Sequence, residues 1–147
     1  MPRIENSIVV EASLGKTYQV VNDIGRWPEL FEEYSSASVD DRIDAGRFSL
    51  LTFTLGSDKA SWTSKRIMDH EDCVVYAERL EPMFPFQFMH LKWTFTETAE
   101  GTRMVWTQDF ELADGAPMST QDALDHMNSH TRVNQQRIKN ILERTDV

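Results

Sequence analysis

Cysteine occurs once in the 147 residues, at Cys73, which excludes both an intrachain disulfide and a cysteine-based metal centre. Glycine (6) and proline (5) are scarce, so neither a flexible linker nor a low-complexity tract fits. No apolar run approaches the roughly 18 residues of a membrane span. The start, Met1-Pro2-Arg3-Ile4-Glu5-Asn6-Ser7, lacks the apolar centre of a secretion signal. Positive charge is in deficit, with 15 Lys and Arg against 24 Asp and Glu and a net charge of −9. Such a surface repels phosphate backbones and anionic lipid, which argues against nucleic-acid and membrane partners and for small molecules or local protein patches. Glycine-rich phosphate loops, a Gly-x-Ser-x-Gly elbow and a histidine pairing with Cys73 are also missing. The resulting expectation is a cytoplasmic monomer forming one domain over residues 1–147, without a cofactor.

What is present is a regular alternation of turn signals and apolar patterns. Ile4, Asn6, Ile8 and Val10 alternate with Glu5, Ser7 and Val9 and predict a first strand. Ser13 caps a helix predicted from Leu14 to Ile24, with Gly25 as its left-handed end. Pro28 opens a second short helix that would align Trp27, Leu30, Phe31 and Tyr34 on one face. Six strands follow, at Ser38–Ile43, Arg47–Leu55, Ala60–Met68, Cys73–Leu80, Met89–Glu97 and Thr102–Glu111, with Glu81 to Phe86 as a longer loop. A long helix from Ser119 to Glu143 closes the chain, with Ser119 as N-cap and Asp122 at N3. This order predicts an α+β fold: a seven-stranded antiparallel sheet gripping the long helix, with an internal cavity between them.

The fourth strand carries the most chemistry. Trp62, Ser64, Arg66 and Met68 share one face, and the Trp and Met ends mark it as the inward one. Arg66 is then an enclosed guanidinium with five donors to satisfy. Its alternatives are a buried ion pair with Glu78 or a register one residue off. Met89, Leu91, Trp93 and Phe95 on the sixth strand, and Met104, Trp106, Gln108 and Phe110 on the seventh, add an aromatic stripe that suits either a packed core or a flat-ligand pocket. On the last helix His126, His130 and Asn134 fall at i, i+4 and i+8. Met127-Asn128-Ser129 supplies no HExxH glutamate, so the two histidines do not make a zinc motif. His126 either bonds within the pocket or sits at the surface, and Asn134 points toward the sheet.

In this order the chain resembles the type II polyketide aromatase/cyclases of the START-like (SRPBCC, Bet v 1-like) superfamily, a group that includes the tetracenomycin aromatase/cyclase N-terminal domain and the spore-pigment cyclases. The resemblance rests on Asn6-Ser7-Ile8-Val9-Val10, Asn22-Asp23-Ile24, Trp27-Pro28-Glu29-Leu30-Phe31 with Glu33-Tyr34, and Trp62, Ser64 and Arg66. It continues through Pro85-Phe86, Met89, Leu91 and Trp93, then Gly115-Ala116-Pro117, Thr131-Arg132, Asn134 and Arg137-Ile138-Lys139. It implies a helix-grip fold and a pocket with Tyr34, Ser64, Arg66 and Asn134 as its catalytic polar centre. Trp27, Phe31, Trp62, Phe86, Met89, Trp93, Trp106, Gln108 and His126 would surround the substrate. The segment Leu80 to Phe86 departs from the family pattern by one extra residue, with Met83 and Phe84 at the rim. The implied activity is aldol closure of the first ring of a poly-β-ketone, between C9 and C14, followed by dehydration. The implied partners are an acyl carrier protein and a minimal polyketide synthase, met by basic residues such as Lys65, Arg79, Arg132, Arg137 and Lys139. The competing readings are a hydrophobic-ligand carrier of the same fold and a chaperone that only sets polyketide conformation.

Overall fold

The computed structural model describes residues 2–144. The order is β1 (Arg3–Val10), α1 (Leu14–Val21), a 3-10 turn (Ile24–Arg26), α2 (Trp27–Leu30), β2 (Ser36–Ala45), β3 (Phe48–Gly56), β4 (Ser61–Asp69), β5 (Val74–Arg79), β6 (Phe86–Thr98), β7 (Gly101–Leu112) and α3 (Thr120–Leu142). The strands form one antiparallel sheet in the order β1-β7-β6-β5-β4-β3-β2. All joints but one link neighbours, and β1 reaches β7 across the sheet, so the sheet curls around α3. Alternation sends one side chain in two toward that helix, as in β3, where Leu51, Phe53 and Leu55 are buried while Leu50 is exposed.

The N-cap signal of the long helix operates as read. Ser119 Oγ accepts the Asp122 N–H at 3.1 Å, and Lys139 lies in the last turn. The short helices differ from expectation. Helix α1 stops at Val21, and its cap is Asn22 at φ −97°, not Gly25, whose φ is not positive. Helix α2 ends at Leu30, and Phe31 is extended at φ −117°, ψ 128°. The cause is a competing partner: the Glu32 N–H goes to Asn134 Oδ1 on α3 at 3.1 Å, which diverts the chain from another helical turn. Phe31 and Tyr34 therefore reach the interior from an irregular segment. Strand β6 also starts earlier than expected, at Phe86, with a bulge between Phe86 and Phe88 that turns the former loop end into sheet.

The core divides in two. One cluster holds Trp27, Phe31, Phe53, Trp93 and Trp106, and the other holds Ile4, Met89, Phe110 and Ala123 with Phe86 and Met127 against it. On the opposite, convex face Ile43, Leu50, Ile67 and Tyr76 pair in one continuous row across β2 to β5, and all four are exposed. Strand β2 is a sheet edge and carries Asp40, Asp41 and Asp44.

Candidate active site

Large rings at the junction of the two clusters keep sheet and helix apart, and a cavity of about 330 Å³ remains. Its wall draws Trp62, Ser64 and Arg66 from β4, Met89, Leu91 and Trp93 from β6, Trp106 and Gln108 from β7, and His126, His130 and Asn134 from α3. Trp27, Phe31, Glu33 and Tyr34 close one side, and Arg79 and Phe86 stand on β5 and β6. The four residues implied for the polar centre and the nine implied around the substrate all line this wall, whereas Phe95, Met104 and Phe110 of the same strand faces do not.

The rings are ordered as well as close. Trp93 and Trp106 are direct cross-strand partners and stack with centroids 4.2 Å apart and planes 10° from parallel. Phe31 lies 20° from the plane of each, and Tyr34 stacks on Trp27 at 14°. The result is a set of near-parallel faces.

Arg66 is 2% exposed and donates from Nη2 to Asn22 Oδ1 at 2.7 Å. The acceptor is fixed in turn, because Asn22 Nδ2 donates to the Tyr18 carbonyl at the end of α1. The guanidinium also lies 4.7 Å from the Trp93 ring and 5.0 Å from the Trp27 ring. Burial pulls its pKa down to about 9, so it remains a cation at neutral pH. Glu78 is not its counter-ion: that carboxylate faces Lys65 at 3.3 Å and His90 at 3.6 Å on the outer surface. The ion-pair alternative is thereby removed, because β4 alternation puts Lys65 and Arg66 on opposite faces.

Three buried donors on this wall have no partner among the described residues: Arg66 Nε, Trp93 Nε1 and Trp106 Nε1. Tyr34 adds a hydroxyl whose pKa burial raises, with the nearby Glu33 carboxylate pushing the same way, so it stays a neutral donor. Asn134 is already committed. Its Nδ2 reaches both oxygens of Glu33, at 2.9 and 3.2 Å, and its Oδ1 holds Glu32 N–H. Gln108 accepts from Thr131 Oγ1 at 3.1 Å. His126 is exposed, with its ring 4.3 Å from that of His130.

Sequence reasoning did not nominate Asn22, Glu33, His130 or Arg79 for the site. Asn22 and Glu33 were visible only as neighbours of apolar anchors, and nothing local in sequence shows that a helix cap and a turn meet the cavity. Arg79 packs over Trp62 at 4.7 Å and donates from Nε to the Pro82 carbonyl, so a residue put forward for carrier-protein contact is part of the rim.

A curved sheet gripping a long helix around an aromatic cavity defines the helix-grip class of fold. Within that class the chain belongs to the family described as Polyketide cyclase / dehydrase and lipid transport, matched over residues 1–132. It is 37% identical over 141 residues to a Streptomyces cyaneus protein named as a polyketide cyclase, covering 95% of this chain and 92% of that one. It is 26% identical to the actinorhodin polyketide synthase bifunctional cyclase/dehydratase of Streptomyces coelicolor, covering 84% of this chain and 39% of that one. The crystal structure of the Zhui aromatase/cyclase from Streptomyces sp. R1128 superposes with a TM-score of 0.76 at 18% identity, covering 99% and 96% of the two chains.

Proposed function

We propose that the cavity binds a poly-β-ketone delivered on an acyl carrier protein and directs the aldol closure and aromatisation of its first ring. The observation that carries this reading is the pairing of near-parallel aromatic faces with the Arg66 cation and the neutral Tyr34 hydroxyl on one cavity wall. A poly-β-ketone brings what such a wall lacks, a row of carbonyl oxygens on a chain that flattens as it closes.

The methylenes between ketones are already acidic, so the main task is to decide which carbons meet. The stacked walls hold one bent conformer and exclude water, which accelerates the favoured closure through proximity and orientation. Arg66 polarises the electrophilic ketone and receives the developing alkoxide, with the neutral Tyr34 hydroxyl as a second donor. Ser64, buried beside Arg66 on β4, and Asn134, through Glu33, hold the geometry around that oxygen. Arg79 at the rim belongs with the basic residues that would meet an acidic carrier protein.

The test is reconstitution with a minimal polyketide synthase, comparing products with and without the protein. A shift from mixed shunt products to one ring regiochemistry supports the reading. An unchanged mixture, with the protein binding polyketide-like ligands tightly, would instead identify a carrier.

A further inference from the structure

Aldol closure leaves a β-hydroxy ketone, and its dehydration needs a group that accepts a proton from carbon and returns one to oxygen. The titratable side chains on the cavity wall are Glu33, Tyr34, Arg66, Arg79, His126 and His130. The two guanidiniums are cations and Tyr34 is held neutral, so none of these three serves as a base near neutral pH. The Glu33 carboxylate is occupied: it receives both hydrogen bonds from Asn134 and faces His130 Nδ1 at 3.1 Å. The acid–base capacity of the wall therefore rests on the imidazoles.

We infer that His130 is the proton-transfer residue of the dehydration step, with Glu33 and Asn134 as positioning residues that fix its tautomer. This rests on the cyclase reading above and assigns within it a role that the residues first nominated do not fill. Asn134 clamps the carboxylate from the next turn of α3, and the carboxylate draws the imidazole proton to Nδ1. Nε2 then carries the lone pair, and it makes no hydrogen bond among the described residues. The exposed ring of His126 lies beside that of His130, tilted 45° to it.

The step balances with one base. Nε2 takes a proton from the ring carbon next to a ketone, whose oxygen Arg66 stabilises as an enolate. The electron pair of that C–H bond forms the C=C bond as the C–O bond to the hydroxyl breaks. The imidazolium returns its Nε2 proton to the departing oxygen, so one water leaves, nothing is oxidised and His130 is restored. Glu33 stabilises the transient imidazolium, the part that an acidic orienter plays behind a histidine base.

The experiment uses the full chain in the reconstituted synthase assay, with His130→Asn and Glu33→Gln beside wild type. His130→Asn should retain the ring regiochemistry but dehydrate about 10²- to 10⁴-fold more slowly, so that a product one water heavier accumulates. Dehydrated product at the wild-type rate overturns the assignment. A wild-type protein without effect on regiochemistry overturns the cyclase reading itself, a separate outcome. Glu33→Gln provides the readout that a merely structural role would not move. The 15N shifts of His130 should show a protonated Nδ1 in wild type and lose that preference in the variant, with dehydration slowed. A tautomer that Glu33→Gln leaves unchanged overturns the positioning role.

Discussion

Arg66 donates to Asn22 Oδ1 at 2.7 Å, so the charge at the centre of the cavity is met by an amide dipole held at the end of α1. Removing a buried cation of this kind should separate stability from activity. Arg66→Met, similar in volume, should unfold at a higher denaturant concentration than wild type, because an apolar replacement for a buried charge is neutral or stabilising by about 1–4 kcal/mol. Arg66→Ala should keep a cooperative transition, and both variants should lose about 10²- to 10³-fold in ring closure. Arg66→Lys should recover little, since the planar fork is lost.

The same residue sets a pH test with a definite sign. Its folded pKa of about 9 lies well below that of a free guanidinium, so between these values the unfolded chain binds more protons. Wild-type stability from this group therefore rises with pH across that window, and the advantage of Arg66→Met shrinks. Urea unfolding of both proteins at about pH 7 and about pH 10 measures it. An advantage that grows with pH contradicts the assignment.

Trp106 offers a contrasting case. Trp106→Phe keeps a ring against Trp93 and removes an unpaired buried N–H, so it should cost less than about 1.5 kcal/mol. The exciton couplet of the stacked indoles in circular dichroism should vanish.

Asn134→Leu should destabilise by about 2–3 kcal/mol, because it strips Glu33 and the Glu32 N–H of their partner together. Asn134→Asp places a carboxylate against Glu33 and should be worse still at neutral pH, recovering partly in acid as the repulsion is protonated away. Thermal melts across pH separate the two variants.

Gly101→Ala should cost about 2–3 kcal/mol, since φ is +142° and a Cβ there would lie 2.0 Å from the Val10 carbonyl oxygen. Calorimetry of the variant tests it directly.

Much of this architecture was legible because alternation is local. Trp62, Ser64 and Arg66 could be set on one face from spacing alone, and the Ser119 cap marked the start of α3 from its residue type. The short helices were not legible in the same way. Trp27, Leu30, Phe31 and Tyr34 have helical spacing, yet the Glu32 N–H is claimed by Asn134, 102 residues away. For the same reason the Glu33–His130 contact was invisible: each residue alone reads as a solvated charge or a surface histidine, and only the packing of α3 against the turn joins them.

The convex face has its own consequence for solution behaviour. Ile43, Leu50, Ile67 and Tyr76 make a continuous apolar ridge that ends on the open edge of β2, the arrangement from which edge-to-edge aggregation starts. Asp40, Asp41 and Asp44 line that edge, so two molecules approaching strand to strand meet charge of the same sign. Ser49 and Arg42 hydrogen-bond Asp44 and hold its carboxyl below the usual range, which keeps that guard charged as the medium is acidified. The acidity of the chain thus works as a colloidal safeguard, letting one face of the sheet stay oily while the other is devoted to the cavity.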